Sequence, residues 1–266
     1  MSGQSIQWNF QSSGDSSKHA LLFLHGFMGS SLDWQDIADC FAEKYGIIAL
    51  DLPGHGQTVA TTDDDYTMPR CASGIVDLLH DLNITRTHLI GYSMGGRLAL
   101  YLATHYPKLV DKVIVESASP GLKTQQERSA RVEHDLQIAR DITTLPMAEF
   151  LARWYDQPLF ATVDKNGPPF QSLMRRCLLN DSALLAKSLR HMGTGAQPSL
   201  WSDLPKIRSQ LLLIVGGQDA KFKSIAEEIA EIRPATKIVV IPDAGHNVHM
   251  ENPLEYIKQV SLFLKS

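Results

Sequence analysis

The sequence has few cysteines, and their spacing argues against the structures that depend on them. Of 266 residues only Cys40, Cys71 and Cys177 are cysteines. Three is an odd number and no CxxC pair occurs, so neither a disulfide framework nor a zinc ribbon is indicated. A reducing compartment fits this usage best. No cluster of metal-ligating residues stands out either, and we expect no metal and no organic cofactor.

A surplus of positive charge and a long apolar run are also missing. Lys and Arg number 25 against 29 Asp and Glu, a net charge of -4 at pH 7. This balance lacks the broad cationic surface that a phosphate backbone requires, so nucleic acid is not an expected partner. No window approaches the roughly 18 consecutive apolar residues of a membrane span, and the first twenty residues lack the apolar part of a signal peptide. We expect a soluble, cytoplasmic protein that does not bind membranes.

What the sequence does contain is an alternation of short apolar runs and helical patterns. Six runs bounded by Gly, Pro or Asp are predicted as buried strands, at residues 20–24, 47–50, 88–90, 112–115, 211–215 and 237–241. Helical patterns follow at residues 34–44, 69–82, 94–105, 225–232 and 253–264. This alternation predicts an α/β fold with a mostly parallel central sheet flanked by helices on both faces.

One long segment interrupts the alternation. Residues 117–210 contain no convincing strand pattern, but helix-like stretches occur at residues 124–141, 146–155, 170–179 and 182–191. We therefore predict one core made of residues 1–119 and 206–266, with residues 120–205 inserted between two core strands as a helical cap.

The residues Gly91-Tyr92-Ser93-Met94-Gly95 form a G-x-S-x-G pattern. The apolar run 88–90 enters it and the helix-forming residues 97–100 leave it, which predicts the strand, sharp turn and helix that expose a strained serine. An ordinary strand-to-helix turn is the alternative. A serine hydroxyl becomes a nucleophile or base only when a neighbour removes its proton, so the pattern requires a histidine held by a carboxylate.

Asp219 and His246 meet that requirement. Each follows the end of a predicted strand, at the edge of a parallel sheet where sites assemble. The chain order Ser93, Asp219, His246 is the order expected of an α/β-hydrolase. His249 lies close behind His246 and further into the next segment, so we do not assign it to the triad.

Two backbone N–H groups are the candidates for an oxyanion hole. The loop Leu24-His25-Gly26-Phe27-Met28-Gly29 follows an early strand, which places the amide of Phe27 near the amide of Met94. We interpret His25 as a structural residue of that loop rather than a second base.

Arg97 gives an independent indication of an anionic ligand. It lies about one helical turn after Ser93, on a helix expected to be buried. A buried guanidinium is costly without an anionic partner, so either an internal carboxylate or an anionic ligand is indicated.

Together the motifs HGFMG, DLPGHG, GYSMGG, GGQD and AGHNVHMENP resemble the α/β-hydrolase superfamily over the whole chain outside the cap. Within that superfamily the chain is similar to the 2-succinyl-6-hydroxy-2,4-cyclohexadiene-1-carboxylate (SHCHC) synthases of menaquinone and phylloquinone biosynthesis. The similarity is carried by Arg97 and by the stretches ESASPGL (116–122), WYDQPLF (154–160) and GTGAQP (193–198). Cap motifs are more specific than a triad, because caps vary between activities that share one catalytic frame.

The resemblance implies a lyase that eliminates pyruvate from 2-succinyl-5-enolpyruvyl-6-hydroxy-3-cyclohexene-1-carboxylate to give SHCHC. Ser93 would then belong to a base relay that abstracts a proton beside the succinyl carbonyl. Arg131 and Arg176 match arginines that bind the substrate carboxylates, although each could be a solvated helix charge. Tyr155 and Trp154 match an aromatic pair that closes over the ring, and an aromatic cap core is the alternative for Trp154.

Two other functions remain open at this point. A serine hydrolase of a small anionic substrate, either a carbon–carbon bond hydrolase or a carboxylesterase, shares the triad and often carries a helical cap. A catalytically silent ligand receptor on this fold is less consistent with an intact triad. The sequence indicates neither the oligomeric state nor which quinone the pathway ends in.

Overall fold

Runs of branched apolar residues form the centre of a sheet in the computed structural model, which describes residues 6–266. Within that range the strands are β1 (Ile6–Gln7), β2 (Phe10–Gly14), β3 (Ala20–Leu24), β4 (Gly46–Leu50), β5 (Val59–Ala60), β6 (Thr87–Tyr92), β7 (Val110–Glu116), β8 (Gln210–Gly216) and β9 (Lys237–Ile241). Seven of them form one sheet in the order β2-β4-β3-β6-β7-β8-β9. All neighbours are parallel except β2 and β4, which are antiparallel. β1 and β5 form a separate antiparallel pair.

Helices cover both faces of this sheet. They are α1 (Gln35–Asp39), α2 (Met68–Asp81), α3 (Met94–His105), α4 (Gln125–Thr144), α5 (Met147–Tyr155), α6 (Pro168–Cys177), α7 (Ser182–Met192), α8 (Ala220–Ile232), α9 (Val248–Glu251) and α10 (Pro253–Lys265). Short 3-10 helices lie at Ser31–Trp34, Asp64–Tyr66, Pro158–Phe160 and Trp201–Lys206. The predicted α/β class, with a mostly parallel sheet flanked by helices, is confirmed.

Side chains of each central strand alternate between two apolar layers. In β3, Leu22 and Leu24 pack with α2, α3 and α8, whereas Leu21 and Phe23 pack with α1 and α10. This alternation is the consequence of the two-residue period of a strand, and both layers exclude water. A parallel strand buried on both faces therefore appears in the sequence as a continuous apolar run, as the β3 sequence ALLFL does.

Three strands were missed and one helix prediction was wrong. The missed strands are β1, β2 and β5, and the β2 sequence FQSSG gave no apolar signal because it is polar and mostly exposed at the edge of the sheet. The helix predicted over residues 34–44 is a 3-10 turn followed by the short helix α1. It starts earlier because the amide of Ser30 donates to Asp33 Oδ2 at 3.0 Å. It ends at Asp39, after which the amides of Lys44 and Tyr45 donate to the carbonyl of Phe41.

The segment between β7 and β8 contains α4, α5, α6 and α7. Their apolar faces form a third buried cluster, which includes Phe150, Tyr155 and Leu185 and reaches the core loop at Met28. These helices lie over the end of the sheet where β3, β6 and β7 terminate, since the loop after β3 packs into their cluster. The residue limits 120–205 for a cap remain a prediction.

Candidate active site

Ser93 lies in the sharp turn between β6 and α3. Its backbone has φ 49° and ψ -107°, a left-handed conformation that a residue with a side chain adopts only under constraint. The constraint comes from close backbone approach on both sides. A side chain on Gly91 would collide with the carbonyl of Gly95, and one on Gly95 would collide with the carbonyls of Leu24 and His25. The glycines therefore permit the turn that holds the serine hydroxyl above the sheet.

His246 lies between the serine and a carboxylate. Its Nδ1 is 2.8 Å from Asp219 Oδ2, and its Nε2 is 3.3 Å from Ser93 Oγ. Both His246 and Asp219 are buried. With Nδ1–H donating to the carboxylate, Nε2 is free to accept the serine proton. The rings of Phe222 and Phe160 flank the imidazole at 4.7 and 6.0 Å between centroids.

A second acid–imidazole pair lies beside the first. The buried carboxylate of Glu116, at the end of β7, accepts hydrogen bonds from the backbone N–H of His249 at 3.1 Å and from its Nδ1 at 2.8 Å. The His249 ring stacks on Trp34 at 4.3 Å and contacts the edge of Tyr92 at 5.1 Å. The backbone carbonyl of Glu116 accepts from the amide of Ser93 at 2.9 Å. Among the described residues neither side chain of the pair hydrogen-bonds to Ser93 Oγ, and the pair supports the wall of the site.

The amides of Phe27 and Met94 have no acceptor among residues 6–266. Two donors of this kind near the serine could stabilise a developing oxyanion. The neighbouring His25 has the structural contacts that we expected of it. Its Nε2 accepts from the amide of Leu52 at 2.9 Å, and its Nδ1 lies 2.7 Å from the carbonyl of Gly26.

A cavity of about 350 Å³ opens above Ser93 and His246. Apart from those two residues its walls include Phe27, Asp33, Tyr92, Trp154, Tyr155, Phe160, Ser172, Arg176, His249 and Met250. Phe27, Trp154, Tyr155 and Arg176 were predicted as site residues, and the fold brings all four to one cavity. The lining combines aromatic side chains with polar and charged groups, as small-molecule sites do.

Arg176, on α6, is held by core and cap residues together. Its Nε donates to Asp33 Oδ1 at 2.7 Å, and its Nη1 donates to Ser172 Oγ at 2.9 Å. Asp33 belongs to the 3-10 turn after β3, so the ion pair connects the cap helices to the core. The guanidinium is thereby oriented along the cavity wall.

The two aromatic candidates differ in their polar contacts. The hydroxyl of Tyr155 lies 3.7 Å from Cys177 Sγ, and burial raises the pKa of this phenol well above its ordinary value. Trp154 packs against Phe27, Phe150 and Phe160, with ring centroids 5.6 to 6.3 Å apart. Its ring belongs both to the cavity wall and to the aromatic cluster of the cap.

Arg97 and Arg131 lie outside the walls of this cavity. Nη1 of Arg97 donates to the carbonyl of Met192 at 2.9 Å and to Gln197 Oε1 at 3.1 Å. Burial, and then the charge of Arg131, lower the pKa of Arg97 to about 10, and the nearby carboxylate of Asp135 opposes this change. No carboxylate bonds directly to Arg97, so the internal ion pair that we considered does not form among the described residues.

Arg131 is instead paired within α4. Its Nε donates to Asp135 Oδ1 at 2.7 Å, and the other oxygen of Asp135 accepts from the amide of Gly195 at 3.1 Å. Both arginines thus contact the GTGAQP stretch, directly or through Asp135. That motif is a packed connection between the cap and α3.

Tyr92, Asp33 and His249 are among the cavity residues that were not predicted from the sequence. Tyr92 was left unassigned, Asp33 was not considered, and His249 was set aside because it is not part of the triad. Tyr92 could have been found from its position next to the serine in the elbow. Asp33 and His249 reach the cavity through tertiary packing, which no local pattern indicates.

Comparison with known proteins identifies the family. The sequence profile of the alpha/beta hydrolase fold family matches residues 19–253. A protein of Escherichia coli O1:K1 / APEC named 2-succinyl-6-hydroxy-2,4-cyclohexadiene-1-carboxylate synthase is 35% identical, over 92% of this chain and 93% of that one. A Bacillus subtilis (strain 168) protein that carries the same name provisionally is 36% identical, over 98% and 96% of the two chains. The chain belongs to the SHCHC synthase family of α/β-hydrolases.

A solved structure of this family agrees over both core and cap. The structure of MenH from S. aureus superposes with a TM-score of 0.90 at 30% sequence identity, and it covers 97% of each chain. The family resemblance drawn from the motifs is therefore confirmed. None of the helices within residues 6–266 is both long and apolar enough to cross a lipid bilayer.

Proposed function

We propose that this chain eliminates pyruvate from 2-succinyl-5-enolpyruvyl-6-hydroxy-3-cyclohexene-1-carboxylate to give 2-succinyl-6-hydroxy-2,4-cyclohexadiene-1-carboxylate. The reaction is a step of menaquinone or phylloquinone biosynthesis. The observation that carries the proposal is whole-chain similarity, at 35% identity, to a protein named for this synthase. The reaction is a lyase reaction, since a carbon–oxygen bond breaks without water being added.

In this proposal Ser93 and His246 act as a base relay. His246 Nε2 takes the proton of Ser93 Oγ, and the oxygen removes a proton from the carbon beside the succinyl carbonyl. Asp219 orients the imidazole and stabilises its charged form. The amides of Phe27 and Met94 donate to the enolate oxygen that develops. The electrons then form a double bond from the deprotonated ring carbon to its neighbour, the existing ring double bond shifts by one position, and the carbon–oxygen bond to the enolpyruvyl group breaks. The leaving enolpyruvyl group becomes pyruvate on taking up a proton.

We assign substrate binding to the cavity wall and the adjacent arginines. Arg176 binds a substrate carboxylate through guanidinium edges that Asp33 leaves free, and Trp154 and Tyr155 cover the ring. Nε and Nη2 of Arg97 have no partner among the described residues, which supports a role toward an anion. Arg131 supplies a further positive charge close to Arg97. The substrate is a small polycarboxylate.

We also propose that the protein is located in the cytoplasm. Cys40, Cys71 and Cys177 are all free thiols, and Cys40 is exposed. Free thiols of this kind are usual where glutathione and thioredoxin keep the compartment reducing.

The decisive experiment measures pyruvate release from the enolpyruvyl substrate by the purified protein, with a nitrophenyl ester assayed in parallel. We expect rapid pyruvate release and slow ester cleavage. Ser93→Ala should lower kcat for pyruvate release by about 10³-fold or more, because the base is lost. Ser224→Ala, at an exposed position on α8, is the matched control and should retain full activity.

The alternative, a serine hydrolase of a small anionic substrate, predicts the opposite result. Fast ester turnover, a burst of acyl-enzyme and no pyruvate would identify that activity. Full elimination activity in Ser93→Ala would exclude the relay while leaving the family assignment intact.

A further inference from the structure

Two histidines and one aspartate form a second cluster of polar side chains, at the opposite edge of the sheet from the triad. His19 directly precedes β3, His88 is the second residue of β6, and Asp111 is the second residue of β7. These three strands are adjacent and parallel, so their starts meet at one edge. Ser93, Asp219 and His246 lie past the ends of strands, at the other edge. The cluster is therefore separate from the candidate active site.

The strand pairing places His88 at an irregularity. The register between β6 and β7 runs from Thr87↔Val110 to Leu89↔Val113, so it shifts at His88. A bulge of this kind redirects a side chain and is common where a sheet carries a site. Asp111 lies in the extra length of β7 beside it.

The side chains of His19, His88 and Asp111 lie so close together that small rotations would let all three bind one ion. His19 Nε2 lies 3.1 Å from Asp111 Oδ2, and the rings of His19 and His88 are 4.2 Å apart. One ligand atom from each of the three residues lies within 4.8 Å of the other two. The His19 side chain is 37% exposed and can rotate to close these distances.

His88 is the most unusual member. The residue is only 9% exposed, and its Nδ1 is buried without a hydrogen-bond partner. A buried polar atom without a partner costs free energy and calls for an explanation.

We propose that His19, His88 and Asp111 bind one divalent transition-metal ion of the zinc type. Two imidazole nitrogens and one carboxylate oxygen suit Zn²⁺ and its neighbours better than Mg²⁺ or Ca²⁺, which prefer oxygen. Solvent on the exposed side of His19 supplies the remaining position. The ion connects the starts of three adjacent strands. This proposal is independent of the proposed function.

Two positively charged side chains lie near the proposed site, and one of them, Arg86, should weaken the binding of the ion. Arg86 pairs with the other oxygen of Asp111, so it competes with the ion for that carboxylate. Lys112 is held away by the carbonyls of Phe263 and Leu264, at 2.9 and 3.0 Å from its Nζ. Removing Arg86 should therefore strengthen binding, which an unspecific surface site would not show.

The test titrates tag-free, chelator-treated full-length protein with Zn²⁺ by calorimetry, and with Co²⁺ by visible absorption, which reports nitrogen coordination. We expect one ion per chain. His19→Ala and Asp111→Asn should each weaken binding by about tenfold or more, and Arg86→Gln should strengthen it. His88→Gln should abolish Zn²⁺ binding. If this variant does not fold because His88 is buried, His19→Ala and Asp111→Asn still test the proposal.

Two controls separate this site from others. His80→Ala removes a histidine whose side chain is 90% exposed on α2, and His246→Asn removes the imidazole of the triad. Both should bind Zn²⁺ as the parent chain does. No saturable binding by the parent chain, or binding unchanged in His19→Ala and Asp111→Asn, would overturn the proposal.

Discussion

At the residue level, the ion pair between Asp33 and Arg176 determines what the cavity can bind. A carboxylate in a cavity for a polycarboxylate repels the ligand, so its presence needs a compensating effect. That effect is orientation: Asp33 Oδ1 and Ser172 Oγ hold Nε and Nη1 of the guanidinium, and Nη2 has no hydrogen-bond partner among residues 6–266. Burial raises the pKa of Tyr92 well above its ordinary value, and the carboxylates of Glu116, Glu251, Asp219 and, last, Asp33 act in the same direction.

Asp33→Ala should therefore raise KM for the enolpyruvyl substrate while kcat changes little. A hydrogen bond to a charged group contributes about 1.5–3 kcal/mol, so a rise of about tenfold is expected when Arg176 loses its orientation. Steady-state kinetics of pyruvate release measure both constants. Asp36→Ala is the matched control, because Asp36 borders the same cavity but is exposed and has no ion pair among the described residues. A fall in KM would mean that Asp33 acts as a competitor for Arg176.

Arg97 illustrates why partners are harder to predict than burial. Its position one turn after Ser93 was enough to predict a buried guanidinium, and it is 9% exposed. Its acceptors, the carbonyl of Met192 and the amide of Gln197, are about a hundred residues away in the chain. No spacing rule links such positions. The sequence suggested either an internal carboxylate or an anionic ligand, and the acceptors that the fold supplies are neutral oxygens.

At the level of elements, the turn from β6 to α3 depends on the missing side chain of Gly95. Gly95→Ala places a methyl group against the backbone carbonyls of Leu24 and His25, which cannot rotate away. We expect the free energy of unfolding to fall by about 2–3 kcal/mol, measured as a lower urea midpoint at unchanged slope.

Gly74→Ala is the matched control for that substitution. Gly74 also lies inside a helix, α2, but a methyl group there meets only the side chains of Ile6 and Trp8, at 3.1 Å. Ala favours a helix by about 1 kcal/mol over Gly, which offsets the closer contact. Equal losses in the two variants would show that the backbone contact at Gly95 is not the cause.

Strands and helices with a clear pattern of apolar residues could be predicted from the sequence. Elements that form only because a neighbouring strand offers a partner could not. The parallel strands β3, β4, β6 and β8 appear as apolar runs because both of their faces are buried, whereas β9 at the edge is only partly buried. The helices α2 and α10 follow from their amphipathic patterns, and α3 is buried over nearly its whole length. β2 is polar and pairs with β4 only because β4 offers an open edge. For the candidate site, chain order and strand ends were enough to select Ser93, Asp219 and His246, whereas Asp33 and His249 reach the cavity through tertiary packing.

For the whole molecule, buried neutral histidines couple stability to pH. His55 is 2% exposed, its Nδ1 lies 3.3 Å from the carbonyl of Pro53, and its Nε2 has no partner. Burial, and then the neighbouring His25, lower the pKa of His55 to about 3, against the opposing influence of Asp51. The unfolded chain, with an ordinary histidine pKa near 6.5, therefore binds a proton that the folded chain excludes over the range between these two values.

Stability should accordingly be complete above about pH 7 and fall as the pH decreases through 6.5 toward 3. For His55 alone the loss between pH 8 and pH 5 is about 1–2 kcal/mol, and His88, whose pKa is lowered in the same direction, adds to it. Urea midpoints at the two pH values measure the difference. His55→Gln should reduce it, and His134→Gln, at an exposed position on α4, should leave it unchanged. A difference that persists in His55→Gln would assign the proton uptake to other groups, since glutamine cannot titrate in this range.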